Sequence, residues 1–230
     1  MKSLYDYNYE QLREYALSKG WKKFRGQQIF EWLYRGRVKD VDAMSNLSKE
    51  TRDVLREEFI LSPLTLRDKQ VSKDGTTKYL FELEDGSLIE SVMMIFDYGR
   101  SICVTSQVGC NMGCAFCATG LAGLTRSLTA QEMVDQVVHV SRDLGERVTS
   151  VVFMGQGEPF ANFNETVLAL RMLNSEHGLN IGARHLTVST CGIIPNIRAF
   201  ADLPEQFTLA VSLHSAIQST RNQLMPGVKK

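Results

Sequence analysis

The sequence predicts an α/β protein: a helical N-terminal unit, a β-hairpin, and a partial (β/α) TIM-like barrel of about four units. Three observations predict it. Apolar residues recur at helical spacing through the first sixty-odd residues, the period falls to two after Thr76, and strand, loop and helix signals alternate from Ser101 onward. The expected division is 1–65 (helical), 66–100 (hairpin) and 101–230 (barrel).

In the helical unit, Asn8 is placed to cap a helix carrying Leu12, Tyr15, Ala16 and Leu17, with Gly20 as its stop. A second helix over Phe24–Tyr34 carries Ile29, Phe30, Trp32 and Leu33. Ser48 caps a third, with Val54, Leu55 and Phe59 on one side. Around the second helix Lys22, Lys23, Arg25, Arg35, Arg37 and Lys39 face the single acid Glu31. That composition reads first as a solvated face and second as a contact for RNA phosphates.

In the hairpin, Tyr79, Phe81 and Leu83 alternate with polar residues, Glu84-Asp85-Gly86 makes the turn, and Leu88–Met94 returns. Glu90 shares a face with Leu88, Val92 and Met94. A carboxylate there is partnered or used, or it reaches water at an edge; the residues leave both open.

The barrel strands are expected at Ser101–Ser106, Val148–Met154, His185–Thr190 and Phe207–Leu213. The first helix opens with Thr129-Ala130-Gln131-Glu132, a capping box, and buries Met133, Val134, Val137 and Val138. Further helices are expected around Thr166–Leu173, at Ile194–Ala201 and from Gln218. The run Val151–Met154 is apolar throughout, as suits a parallel strand covered on both faces. Four units do not close a barrel, so the sheet stays open or the sequence is a truncated one.

The 230 residues carry a formal net charge of zero, which excludes a polycation built to coat nucleic acid. The opening Met1-Lys2-Ser3-Leu4-Tyr5-Asp6 lacks the apolar core of a signal peptide, and no apolar run approaches the roughly 20 residues that span a bilayer. The expected location is the cytoplasm, away from any membrane.

Four of the five cysteines fall between Cys103 and Cys117. In a reducing compartment such clustering points to metal or thiol chemistry. Cys110, Cys114 and Cys117 form a C-x3-C-x2-C loop just after the first barrel strand. Three thiolates at this spacing suit a [4Fe–4S] cluster with one iron left open. An open iron can chelate the amino and carboxylate groups of S-adenosylmethionine (SAM), whose reductive cleavage yields a 5′-deoxyadenosyl radical. The competing assignment is a zinc site completed by Cys103 or a histidine. Cys103 within its strand, and Cys191 at the end of another, each read as a core residue or an active thiol. Gly155–Pro159, with Gly157 and Glu158, follows the second strand; Ser189-Thr190 and Ser212-Leu213-His214-Ser215 follow the third and fourth. Strand ends of one polarity share the catalytic mouth of such a barrel.

These motifs, in this order and spacing, resemble the radical SAM methyl synthases of ribosomal RNA, the RlmN/Cfr family, and the resemblance runs from Gly26-Gln27-Gln28-Ile29 through Ser212-Leu213-His214. It implies a helical accessory domain on a six-stranded partial radical SAM barrel, and methylation of one adenine carbon in 23S rRNA and, in the RlmN branch, in certain tRNAs. It implies that Glu90 handles protons and that Cys103 resolves a covalent RNA adduct. Gly157, Glu158, Ser189, Ser212, Leu213 and His214 would hold SAM, with Phe116 near its adenine. A flavodoxin-like electron donor is a further implication. In the family a methyl-carrying cysteine lies near the C-terminus, in a segment that the sequence lacks. Cys191 stands where relatives often have serine. The readings that compete with a C2 methyltransferase are a C8 enzyme of the Cfr type and a noncatalytic metal-containing RNA-binding fragment.

Overall fold

The computed structural model describes residues 2–36, 38–61 and 64–228; Arg37 of the basic group lies outside them. The N-terminal unit comprises β1 (Lys2–Ser3), α1 (Tyr9–Ser18), α2 (Phe24–Glu31), α3 (Lys49–Glu58) and β2 (Phe59–Ile60). Asn8 accepts from the Gln11 amide while the Gln11 side chain accepts from the Asn8 amide, and Gly20 leaves the helix at φ +73°. The second helix loosens into a π turn over Trp32–Gly36, and Ser48 caps α3 by accepting from the Thr51 amide. Two details depart from the periodicity. Leu17 faces solvent, and Phe59 leaves the helix to enter β2, which pairs in parallel with β1. The first two helices meet at Gly26, where a Cβ would strike the Leu12 carbonyl and come within 2.5 Å of Arg13 Cα.

The rest is built on β3 (Thr65–Val71), β4 (Thr77–Glu82), β5 (Leu88–Phe96), β6 (Gly99–Cys103), β7 (Gln107–Gly109), β8 (Leu124–Ser127), α4 (Ala130–Leu144), β9 (Ser150–Phe153), α5 (Phe163–Asn174), β10 (Leu186–Thr190), α6 (Ile194–Ala201), β11 (Thr208–Val211) and α7 (Gln218–Leu224). One seven-stranded sheet runs β11-β10-β9-β6-β5-β4-β3. The expected barrel strands are its four parallel members: β9 and β11 are trimmed at both ends, β10 at its start, and β6 begins earlier, at Gly99, and ends at Cys103; among the described residues they do not close. The expected hairpin is β4–β5. It gains a third antiparallel strand, β3, which the sequence had not shown because its side chains are all solvent-exposed and show no alternation. Charged Arg67, Asp68 and Lys69 on this strand blunt the open edge of the sheet. Among the described residues, no helix is long and apolar enough to cross a membrane.

Register separates the two sheet faces. Ile102, Val151 and Leu186 lie side by side and are buried, as are Phe153 and Val188 further along the same face. Cys103, Val152 and Thr187 form the opposite row. The N-terminal unit is pinned to the core by polar and aromatic contacts. Tyr9 stacks on His177 at 3.8 Å, and Arg35 donates to the Glu176 carbonyl.

On α4, burial, aided by the Arg142 cation, pushes His139 down to about 4. The native imidazole is therefore neutral where the unfolded one, near 6.5, is charged. Stability should fall as pH drops from about 6.5 toward 4, at up to about 1.4 kcal/mol per pH unit. Urea unfolding at pH 7 and pH 5 should show this loss, and His139→Phe should reduce it. Independently, Gly26→Val should lower the urea midpoint by forcing α1 and α2 apart, at a cost of about 1–3 kcal/mol.

Candidate functional site

The cysteine loop is held at its base by the β7–β8 ribbon, where the Cys110 amide donates to the Gly123 carbonyl at 2.9 Å. Gly109, at φ +78°, is required there because a Cβ would collide with that carbonyl. Arg126 on β8 anchors the ribbon: Nε reaches Asp85 at 2.6 Å, and both terminal nitrogens reach Glu132 at 2.8 Å. The guanidinium, with the Ser87 amide, pushes Asp85 down to about 2. From the other side, the Ala115 amide donates to Leu224 O at 2.9 Å and the Gly227 amide to Met112 O at 3.0 Å.

Cys110, Cys114 and Cys117 line one cavity of about 300 Å³ with Phe116, Gly157, Glu158, Ser189, Ser212 and His214. Each strand end supplies part of its wall, so the side chains that the sequence assigned to one mouth do converge. Leu213 sits outside the lining with its side chain exposed. Glu158 is only 4% exposed and is held by amides: Oε1 accepts from Phe160 at 3.0 Å and Oε2 from Cys191 at 2.8 Å. Its own amide donates to Gln107 Oε1 at 2.8 Å. A carboxylate has about four lone-pair sites, so these bonds leave capacity for a ligand in the cavity. Gly157, at φ +100°, brings the backbone against Gln107. The Ser189 and Ser212 hydroxyls are 3.2 Å apart, and the His214 ring lies 4.4 Å from that of Phe116.

Burial raises the thiols of Cys110 and Cys114, and the Glu158 carboxylate raises both further. They are protonated until a metal displaces the proton. Three thiols at C-x3-C-x2-C spacing on one cavity suit a [4Fe–4S] cube, which takes one ligand on each of three separate irons.

Glu90 and Cys103 stand apart from this lining. Cys103 pairs with Val92, and Glu90 lies two residues earlier on the same face, so they are diagonal neighbours on adjacent strands. Glu90 shares its face with Val92 and Met94, as the alternation predicts. The core side of β5 is Ile89, Ser91 and Met93, whereas Glu90, Val92 and Met94 are half-buried. The Glu90 carboxylate has a partner, Lys78 Nζ at 3.0 Å, with both side chains 43% exposed. Burial raises the Cys103 thiol, which is protonated at neutral pH. Cys191, ambiguous in the sequence, is 6% exposed and lines the cavity; burial first and Glu158 second push its thiol up.

Several organisers had no signal in the sequence. Gln136 accepts from Ser91 Oγ at 2.7 Å and from the Thr105 amide at 2.9 Å. Asn162 donates to Leu128 O at 2.7 Å and Ser106 O at 3.1 Å. Their partners are remote in sequence, and no spacing rule reaches them.

Two family models match this chain: the Radical SAM superfamily over residues 104–227, and the ribosomal RNA large subunit methyltransferase N-terminal domain over residues 2–61. The chain belongs to the radical SAM superfamily, and that membership implies a [4Fe–4S] cluster and SAM. Within it, the chain is 52% identical over 228 residues to proteins from Staphylococcus saprophyticus subsp. saprophyticus and Staphylococcus haemolyticus, each named "Probable dual-specificity RNA methyltransferase RlmN". These matches cover 98% of this chain and 63% of each relative, so the chain spans under two thirds of their length. The crystal structure of a radical SAM methyltransferase from Sphaerobacter thermophilus superposes with a TM-score of 0.93 at 44% identity, covering 98% of this chain and 67% of that one.

Glu158→Gln should weaken the site without emptying the core. Its amide nitrogen would oppose either the Cys191 or the Phe160 amide, both donors, at a cost of about 1–3 kcal/mol. Urea unfolding compared with wild type checks this.

Proposed function

We propose that this chain is the cluster-, SAM- and RNA-binding portion of a radical SAM methyltransferase that methylates C2 of an adenine in 23S rRNA and in certain tRNAs. The observation that carries the proposal is the convergence of three C-x3-C-x2-C thiols on one cavity whose remaining wall comes from three successive strand ends. Similarity to the staphylococcal proteins, named as RNA methyltransferases, supports RNA as the substrate, and C2 as the target carbon follows the resemblance to the RlmN branch.

In this reading Cys110, Cys114 and Cys117 hold three irons of a [4Fe–4S] cluster. When bound, the cluster and SAM supply a radical able to activate a carbon that ordinary nucleophilic chemistry leaves inert. The residues of the chain do the positioning. Glu158 and Gly157 present a carboxylate and a close backbone to the SAM amino end. Ser189 and Ser212 offer hydroxyls, and Phe116 with His214 flanks the adenine. Glu90, steadied by Lys78, and Cys103, neutral in its strand, are placed on one sheet face to move protons at the base. The RNA contact lies on the N-terminal unit. Phe24 is exposed there, the Arg25 guanidinium is 5.0 Å from its ring, and Lys22 and Lys23 are exposed beside it. Such a cationic and aromatic surface suits phosphate and base contacts. A flavodoxin-like electron donor and a cytoplasmic setting complete the reading.

Iron and sulfide analysis after anaerobic reconstitution tests the cluster assignment. Cys114→Ala should lose the cluster while Cys103→Ala keeps it; about one zinc and no sulfide in the unaltered chain would refute it. Lys22→Glu with Lys23→Glu should weaken RNA binding severalfold and flatten its salt dependence, with iron content unchanged. RNA affinity insensitive to both changes would place the contact elsewhere.

A further inference from the structure

The ends of β10 and β11 carry Ser189, Ser212 and His214, and a single side chain spans both ends. Arg221 on α7 donates through Nη1 to Leu213 O at 3.0 Å and to Ser212 O at 3.3 Å, and through Nη2 to Cys191 O. Nη1 also lies 2.9 Å from Met225 Sδ. These partners are backbone carbonyls on two different strand ends and the thioether of Met225, just after α7. Only a planar fork with five fixed donors can serve so many acceptors at once, and a lysine ammonium reaches one or two.

Two backbone features show what the clamp holds. Among the described residues, His214 is one of two non-glycine residues at positive φ, at +55°. A left-handed conformation in such a residue costs roughly 1–2 kcal/mol and persists only when its surroundings fix it. The two carbonyls immediately before His214 are those that Arg221 engages, and the Ser215 amide bonds back to Leu213 O at 2.6 Å. On the other strand end, Gly192 sits at φ +115°, and a Cβ there would lie 2.9 Å from the Arg221 guanidinium. The helix carrying Arg221 also reaches the cysteine loop, since its last residue, Leu224, accepts from the Ala115 amide at 2.9 Å.

We propose that Arg221 is a positioning residue: it locks the ends of β10 and β11 in the conformation that presents Ser189, Ser212 and His214 to SAM, and couples them to the cluster loop. The inference rests on the SAM reading above but assigns a role to a residue outside the cavity lining. Arg221 sets the affinity for SAM without ligating iron.

The test is SAM binding by anaerobic equilibrium dialysis on the reconstituted full chain, with iron and sulfide measured in parallel. For Arg221→Met, iron and sulfide should match wild type while Kd for SAM rises at least about 10-fold, the loss of about 1.4 kcal/mol. Arg221→Lys should fall between the two, because it restores charge and part of the bonding. Should Arg221→Met lose iron, Arg221→Lys decides: wild-type iron with weakened SAM binding supports the proposal. Wild-type SAM affinity in either variant that holds its cluster overturns it, as does iron loss in both, which would make the role one of folding. Absence of SAM binding in the cluster-loaded wild-type chain would instead overturn the reading on which the inference rests.

Discussion

A carboxylate taken out of water has to be hydrogen-bonded, and the organisation of this site follows from how Glu158 meets that demand. Its two oxygens take the Phe160 and Cys191 amides, which fixes the β9 end to the β10 end. Its own amide is bound by Gln107, which stands at the start of the ribbon that carries the cysteine loop. Arg221 then links the β10 end to the β11 end. The cavity wall is thus a chain of side-chain-to-backbone bonds running across strand ends that the sheet ladder alone would leave free. Loops tied in this way can present thiols, hydroxyls and an imidazole at fixed positions before a ligand arrives, which is what a preorganised site needs.

The same logic extends outward. Gln136 bridges β5 to the segment after β6 from beneath, and Asn162 holds the ribbon's exit to the turn before α5. Arg126 joins the β4–β5 turn to the start of α4 through two carboxylates. The antiparallel strands that bear Lys78 and Glu90 are therefore continuous with the parallel strands that bear the cavity, through both the ladder and these buried amides. Cys103 and Glu90 stand at the seam between the two halves of the sheet. The N-terminal unit joins through Tyr9 on His177, Arg35 on the Glu176 carbonyl and the packing of the Leu4–Asp6 turn against α4.

What the sequence made legible was what depends on neighbours along the chain. The caps at Asn8, Ser48 and Thr129, the C-x3-C-x2-C spacing and the four strand ends all follow local rules, and all appear where expected. Fully exposed β3 had no alternation to read, and the π turn after α2 has the same apolar spacing as the helix it extends. In β5 the alternation put Glu90 on one face with Val92 and Met94 but left open which face is the core. Both faces of that strand are apolar-rich, so pattern alone could not say that Ile89, Ser91 and Met93 point to the core. Gln107, Gln136 and Arg221 act through partners remote in sequence, and only the folded backbone brings those partners within reach.

The central claim is that three thiols and the strand ends form one site for a cluster with an open iron and for SAM. Electron paramagnetic resonance of the anaerobically reconstituted, reduced chain, with and without SAM, tests it most directly. The account predicts a [4Fe–4S]⁺ signal whose shape shifts when SAM is added. A cluster signal indifferent to saturating SAM, or zinc in place of any cluster signal, would contradict it.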